Sequence, residues 1–320
     1  MANSALPRPI DRIWAAQVEA WDRGLRARNK SYKTRLNYEL AATQLGDYLA
    51  EVAGTGDLGI EGLDAAAADP TDVTKAHLEV FIGWMIETRS ASTAANKFRA
   101  LQQFYRYLLE EDEIDRSPFE KMKQPKVPKK LIPILHDEQL SALIADCKGR
   151  AFIQLRDEAI VRVLIDTGGR LTEITNQFME TIDTNLDIVR VDGKGAKQRG
   201  IPFGAKTALA LSRYARARAK QKAAHLPAFW LSAPGTAALE ANGVKLMLKR
   251  RGKRVGLPGL HAHQFRHTFA HNWLVNGGNE TDLMRIMGWS TRDMVGHYAE
   301  SAADHRAHEA HRSLALGDRL

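Results

Sequence analysis

The residues best suited to chemistry are scattered through the chain. His263, Arg266 and His267 fall within HQFRH, Trp289 and Tyr298 follow, and Arg170 and Lys194 stand well upstream. On a helix, residues three apart share a face, so His263 and Arg266 project together. Two guanidiniums and an imidazole can clamp one phosphate, because planar forks match its oxygens in pairs. A phenol brought in line can attack the phosphorus. Its ordinary pKa is about 10, and cations beside the phosphate favour its ionisation and stabilise the transition state. Lys194 can give a proton to the leaving oxygen. Such a site calls for no metal, since the guanidiniums supply the positive charge. The i,i+4 pairs His263/His267 and His267/His271 do have ligand spacing. The absence of a nearby thiol or Glu, and the cation of Arg266 beside them, count against a metal site.

Helices must carry most of these groups. The 320 residues suggest two domains. Apolar positions at helical spacing predict helices from near Ile10, from Ser31, from Thr74 and from a cap at Ser92 or Thr93, with residues 54–70 as a loop. Residues 117–135, SPFEKMKQPKVPKKLIPIL, combine four prolines with five lysines. Proline stops helices and crowded lysines repel, so this reads as an extended basic linker suited to a polyanion. Lys121, Lys123, Lys126, Lys129 and Lys130 are its candidate contacts to such a polyanion. Beyond it the pattern predicts helices over 136–146 and 153–167. Strand-like alternation follows at 186–203, a hairpin whose basic tip bears Lys194, Lys197 and Arg199. A helix is expected over 206–224, and two more, broken by Gly277-Gly278 and Gly288, between His261 and Tyr298.

Lys plus Arg total 46 against 38 Asp plus Glu, a net charge of +8 that favours a nucleic acid partner. Cys147 is the only cysteine, which excludes an intramolecular disulfide and a thiolate metal cage. The N-terminal residues lack the apolar core of a signal peptide, and no apolar run reaches the roughly 20 residues of a membrane span. The expected compartment is the cytoplasm.

These motifs resemble the tyrosine recombinase (phage integrase) family. TGGRLTEI at 167–174 resembles its first arginine box, GKGAKQRGIPF at 193–203 its catalytic hairpin, and HQFRH at 263–267 its His-x-x-Arg-His box. MGWS at 287–290 resembles its Leu-Gly-His/Trp-Ser segment, and Tyr298 stands nine residues past Trp289, at the nucleophile spacing. Gly169 replaces the family's usual leucine and is expected to loosen that turn. Trp289 replaces the commoner histidine.

The resemblance implies a mainly α fold with a small antiparallel hairpin or sheet, arranged as a two-domain DNA clamp. A disordered segment (1–9), a helical core-binding domain (10–118), a linker (119–134), a catalytic domain (135–298) and a C-terminal segment (299–320) that docks on a neighbouring protomer would follow in order. It implies site-specific cleavage and rejoining of double-stranded DNA through a 3′-phosphotyrosyl bond, without cofactor. Arg170 and Arg266 would hold the phosphate, His263 and Trp289 would hydrogen-bond or buttress it, and Lys194 would be the general acid. Tyr298 would be the nucleophile, Glu173 a brace for Arg170, and His267 structural or an auxiliary base. Four protomers would act in synapsis, from a free monomer or dimer, with room for accessory directionality factors. DNA relaxation of the type IB topoisomerase kind, or DNA binding without catalysis, are the alternatives.

Overall fold

A computed structural model describes residues 11–55, 59–128, 133–192 and 198–315. The expected disordered segment at 1–9, the hairpin tip with Lys194 and Lys197, and Lys129 and Lys130 lie outside the described residues. The chain divides into two compact units, residues 1–130 and 131–320.

The first unit is helical: α1 (Arg12–Ala27), α2 (Tyr32–Ala53), α3 (Leu63–Ala68), α4 (Lys75–Thr88) and α5 (Ala91–Glu110). Ser31 caps α2 as predicted, its side chain accepting from the Thr34 amide. The cap of α5 is Ser90 rather than Ser92 or Thr93, because the Ser90 hydroxyl accepts from the Thr93 amide. Trp14, Leu45, Phe81, Leu101, Phe104 and Tyr105 form the core. Residues 63–68 are not the expected loop. Their alanine run favours helix, Leu63 and Ala66 are buried, and the Trp14 indole donates to the Ala66 carbonyl at 3.1 Å. Phe119, which the sequence reading put in the linker, packs edge-on against Phe98 at 4.9 Å in this core. Lys121, Lys123 and Lys126 follow on irregular, exposed chain.

The second unit begins with α6 (Asp137–Cys147), α7 (Phe152–Thr167) and the short α8 (Leu171–Thr175). Strands β1 (Ile182–Asp183), β2 (Ile188–Asp192) and β3 (Gln198–Pro202) then form an antiparallel sheet in that order. The predicted hairpin is β2–β3, with Val191 opposite Arg199. Val189 and Val191 face inward while Arg190 and Asp192 face out, the alternation a one-sided sheet requires. Next come α9 (Ala205–Arg218), α10 (Ala241–Arg254), α11 (Ala262–Val275), α12 (Glu280–Met287) and α13 (Asp293–Leu314). Helix α9 stops six residues short of its predicted end, at Arg218 instead of Ala224. The buried Arg218 guanidinium reaches the carbonyls of Ala224, Leu226, Ala228 and Phe229, which folds that stretch back as a loop. Among the described residues no helix is long and apolar enough to cross a membrane.

Candidate active site

Two glycines end the helices that frame the site. Gly168 caps α7 and Gly288 caps α12, both left-handed, at φ 56° and 63°. Glycine takes this conformation without strain, and such a cap leaves the last carbonyls of a helix open to a donor. Guanidiniums occupy them. Arg266, on α11, donates through Nη1 to the Gly168 carbonyl at 3.0 Å and through Nη2 to the Met287 carbonyl at 2.7 Å. Arg170, at the start of α8, donates through Nη2 to the Gly288 carbonyl at 3.4 Å, long for a hydrogen bond. Arg199, on β3, donates through Nε to the Ile286 carbonyl at 2.8 Å. Three consecutive carbonyls, 286 to 288, are thus held by three arginines from three different elements.

Among the described residues, one carboxylate balances these cations. Glu173 Oε1 accepts from Arg170 Nη1 at 2.7 Å, and its Oε2 accepts from Arg199 Nη2 and the Arg170 amide, each at 2.9 Å. Burial alone would raise the Glu173 pKa; the Arg170 hydrogen bonds and the Arg199 charge outweigh it and hold the carboxyl below its ordinary range. Among the described residues, Arg266 reaches no carboxylate directly. Burial, and then the Arg170 charge, bring its pKa down to about 10. Glu173, expected to brace Arg170, lies in direct contact with it.

Arg199, a candidate DNA contact of the hairpin, is held at the site, with its side chain only 14% exposed. The reason is the alternation of β3, which turns it toward Glu173 and the end of α12. A Cβ at Gly288 would lie 2.8 Å from its Cζ, so glycine there also makes room for the guanidinium. Gly169 differs from expectation. A Cβ on it would meet Ile174 Cδ1 at 2.7 Å, and its amide donates to Thr167 Oγ1 at 3.2 Å, so the turn is closely packed.

The aromatic groups stack beside the arginines. Tyr298, on α13, is buried; its ring lies 4.9 Å from Trp289 at 20° and 4.6 Å from His267 at 38°. His267 in turn meets His263 edge-on at 4.5 Å. The Arg266 Cζ sits 5.5 Å from the Trp289 ring centre, within cation–π range. This small cluster includes Ala270, Leu274, Leu283, Met287 and Val295. Burial raises the Tyr298 pKa, against the downward pull of Arg266 and Arg170. The His263 pKa is lowered by burial, then by Arg266, His261 and Arg170, so its ring is neutral near pH 7. Six of the predicted residues are therefore neighbours: Arg170, Glu173, His263, Arg266, Trp289 and Tyr298, with His267 between rings. Among the described residues no group of three or more potential metal ligands forms.

What the sequence reading missed is the main-chain part of the site, the carbonyls of Gly168 and 286–288. The glycines were visible as breaks; nothing showed that arginines would fill the helix ends they expose.

The fold agrees with what the chain is similar to. The phage integrase family model matches residues 133–305, and the model of the phage integrase N-terminal SAM-like domain matches residues 18–115. The tyrosine recombinase XerC of Bacillus pumilus (strain SAFR-032) is 31% identical over 218 residues, covering 66% of this chain and 71% of that protein. The XerC of Oceanobacillus iheyensis is 28% identical over 250 residues, covering 77% and 81%. Among solved structures, the XerH site-specific recombinase bound to palindromic difH substrate in a post-cleavage complex superposes with a TM-score of 0.71. It shares 17% identity over 93% of this chain and 84% of that one. The Tn1549 transposon integrase in complex with transposon right end DNA gives 0.68, at 20% identity over 93% and 99%. These structural likenesses are of fold. The chain belongs to the phage integrase family. It is a site-specific recombinase of the tyrosine type.

Proposed function

We propose that Tyr298 is the nucleophile of this recombinase and that Arg170 and Arg266 hold the scissile phosphate of double-stranded DNA. The observation that carries this reading is their convergence. The two guanidiniums donate to adjacent carbonyls, Gly288 and Met287, with Trp289 and Tyr298 stacked alongside. A phosphate is a better acceptor than a carbonyl, and the long Arg170 contact is the easiest to exchange.

The Tyr298 oxygen attacks the phosphorus, forming a 3′-phosphotyrosyl bond as the bond to the 5′-oxygen breaks. Lys194 protonates that leaving oxygen, a role supported by its place in the hairpin box. The phenol proton is lost to a neighbouring base, His267 or solvent, once the phosphate and arginines favour the phenolate. A 5′-hydroxyl from the partner duplex then attacks the same phosphorus, restores a phosphodiester and returns the phenol. One ester is exchanged for another, so no nucleotide cofactor is consumed. His263 hydrogen-bonds a phosphate oxygen, and Trp289 walls the site.

Four protomers and two duplexes make up the active assembly, with the chain beyond Tyr298 docking between protomers and Lys121, Lys123, Lys126, Lys129 and Lys130 following the DNA backbone. The cytoplasm is the compartment that fits such a substrate. The test is trapping on a nicked suicide duplex carrying the cognate site. Wild type should accumulate a covalent protein–DNA adduct and Tyr298→Phe none, with duplex affinity nearly unchanged. Adducts persisting in Tyr298→Phe would sink the assignment.

A further inference from the structure

The geometry points to Arg199 as a positioning residue that sets both the place and the net charge of the phosphate clamp, acting through Glu173 and the α12 C-terminal turn. This rests on the strand-cleavage reading above.

Its own exposure argues against a direct DNA contact, at 14% against 42% for the Arg170 side chain. Its contacts instead run to the two parts of the clamp. Through Nη2 it shares the Glu173 carboxylate with Arg170, and through Nε it holds the Ile286 carbonyl, next to the one that Arg266 holds. The pairing of Arg199 opposite Val191 fixes where its backbone lies, so the sheet sets the position of the guanidinium and the guanidinium sets the turn.

Charge makes the arrangement more than a strut. Among the described residues, Arg170, Arg199 and Arg266 stand against Glu173, a net of two positive charges for the phosphate beside whatever Lys194 adds. Without Arg199, the carboxylate pairs with Arg170 alone and neutralises it, so that net falls to one. Opposite charge so close to a buried site dominates its field. Arg199 thereby keeps Arg170 available, although it touches no DNA itself.

The experiment is single-turnover cleavage of the suicide duplex by Arg199→Gln, Arg199→Lys, Glu173→Gln and the double variant Arg199→Gln/Glu173→Gln. Each is read on a normal scissile phosphate and on a neutral methylphosphonate. Arg199→Gln should bind the duplex within about threefold of wild type and cleave about 30- to 100-fold more slowly, the scale of losing one preorganised electrostatic contact. Arg199→Lys should fall between, since lysine keeps the charge but lacks the planar fork. On the methylphosphonate the Arg199→Gln deficit should shrink about tenfold, because a neutral linkage asks for less positive charge. The double variant should cleave no more slowly than Arg199→Gln, since removing the carboxylate restores the net charge; interacting sites are non-additive in this way. A merely structural role moves neither of these last two readouts. Arg199→Gln cleaving at the wild-type rate, an equal deficit on both linkages, or loss of fold in both the Gln and Lys variants would each overturn the inference. Wild type that forms no Tyr298 adduct overturns the strand-cleavage reading and this inference with it. Wild-type adducts beside an unimpaired Arg199→Gln overturn the inference alone.

Discussion

Arg266 and Arg251 are equally buried, each 3% exposed, and they titrate in opposite directions. Arg251, on α10, gives Nε and Nη2 to Asp157 Oδ2 at 3.1 and 2.9 Å and Nη1 to Asp146 Oδ2 at 2.9 Å. Burial lowers its pKa, but the hydrogen bonds to Asp146 and Asp157 carry it above the ordinary value. Among the described residues, Arg266 donates to main-chain carbonyls, with Arg170 close by, and falls to about 10. One guanidinium is neutralised where it stands. The other is fixed in place by groups that cost it no charge. Carbonyls orient a cation while leaving its field for something else, and carboxylates cancel it. The pairing chemistry therefore separates an arginine that holds the fold together from one kept ready for an anion.

The largest effect should come from Arg266→Gln. Cleavage of the suicide duplex should fall about 10³-fold, while the thermal midpoint stays within a few degrees of wild type, as measured by calorimetry. A collapse of the midpoint would make Arg266 as structural as Arg251 and erase the contrast.

Arg251→Met should do the reverse. It leaves Asp157, which is wholly buried, short of one of its partners, and breaks the tie from α10 to α6 and α7. Removing one member of a buried ionic network costs about 3 kcal/mol, read by urea denaturation. Cleavage per folded molecule should remain near wild type. A stable Arg251→Met with lost activity would put the network in the site.

The smallest effect concerns pH. The His263 pKa lies below its ordinary value of 6.5, with burial first and then Arg266, His261 and Arg170 as causes. Between the folded and unfolded values the unfolded chain holds more protons, so stability falls as pH drops through that window. His263 is exposed enough for solvent to soften the effect. His263→Gln should flatten the slope of denaturation midpoint against pH just below 6.5, and Arg251→Met should leave it unchanged. A slope that survives His263→Gln would assign it to another group.

Much of the site was legible because its residue types are rare in combination. Arg170, Glu173, His263, Arg266, Trp289 and Tyr298 stand in order over residues 170–298, and Arg170 and Trp289 each directly follow a glycine that signals a helix break. Helix periods were legible too, apart from places where distant contacts intervene. The alanine run at 63–68 is helical because Trp14 and the core receive it, and α9 ends at Arg218 because that side chain captures four carbonyls further on.

Arg199 marks the boundary between the two kinds of information. Composition and spacing determine that a cation stands on this hairpin and that two more stand in the arginine boxes. A lysine-rich hairpin tip reads the same whether its last arginine points to solvent or to the interior. Only the register of β2 with β3, and the arrival of α12 from nearly 90 residues further along the chain, decide that Arg199 meets Glu173 and the Ile286 carbonyl. The sequence by itself determined which chemistry is present, because ionisable side chains carry it wherever they sit. The tertiary structure decided which charges are cancelled and which remain free to act, because that depends on distances of a few ångströms between segments far apart in the chain.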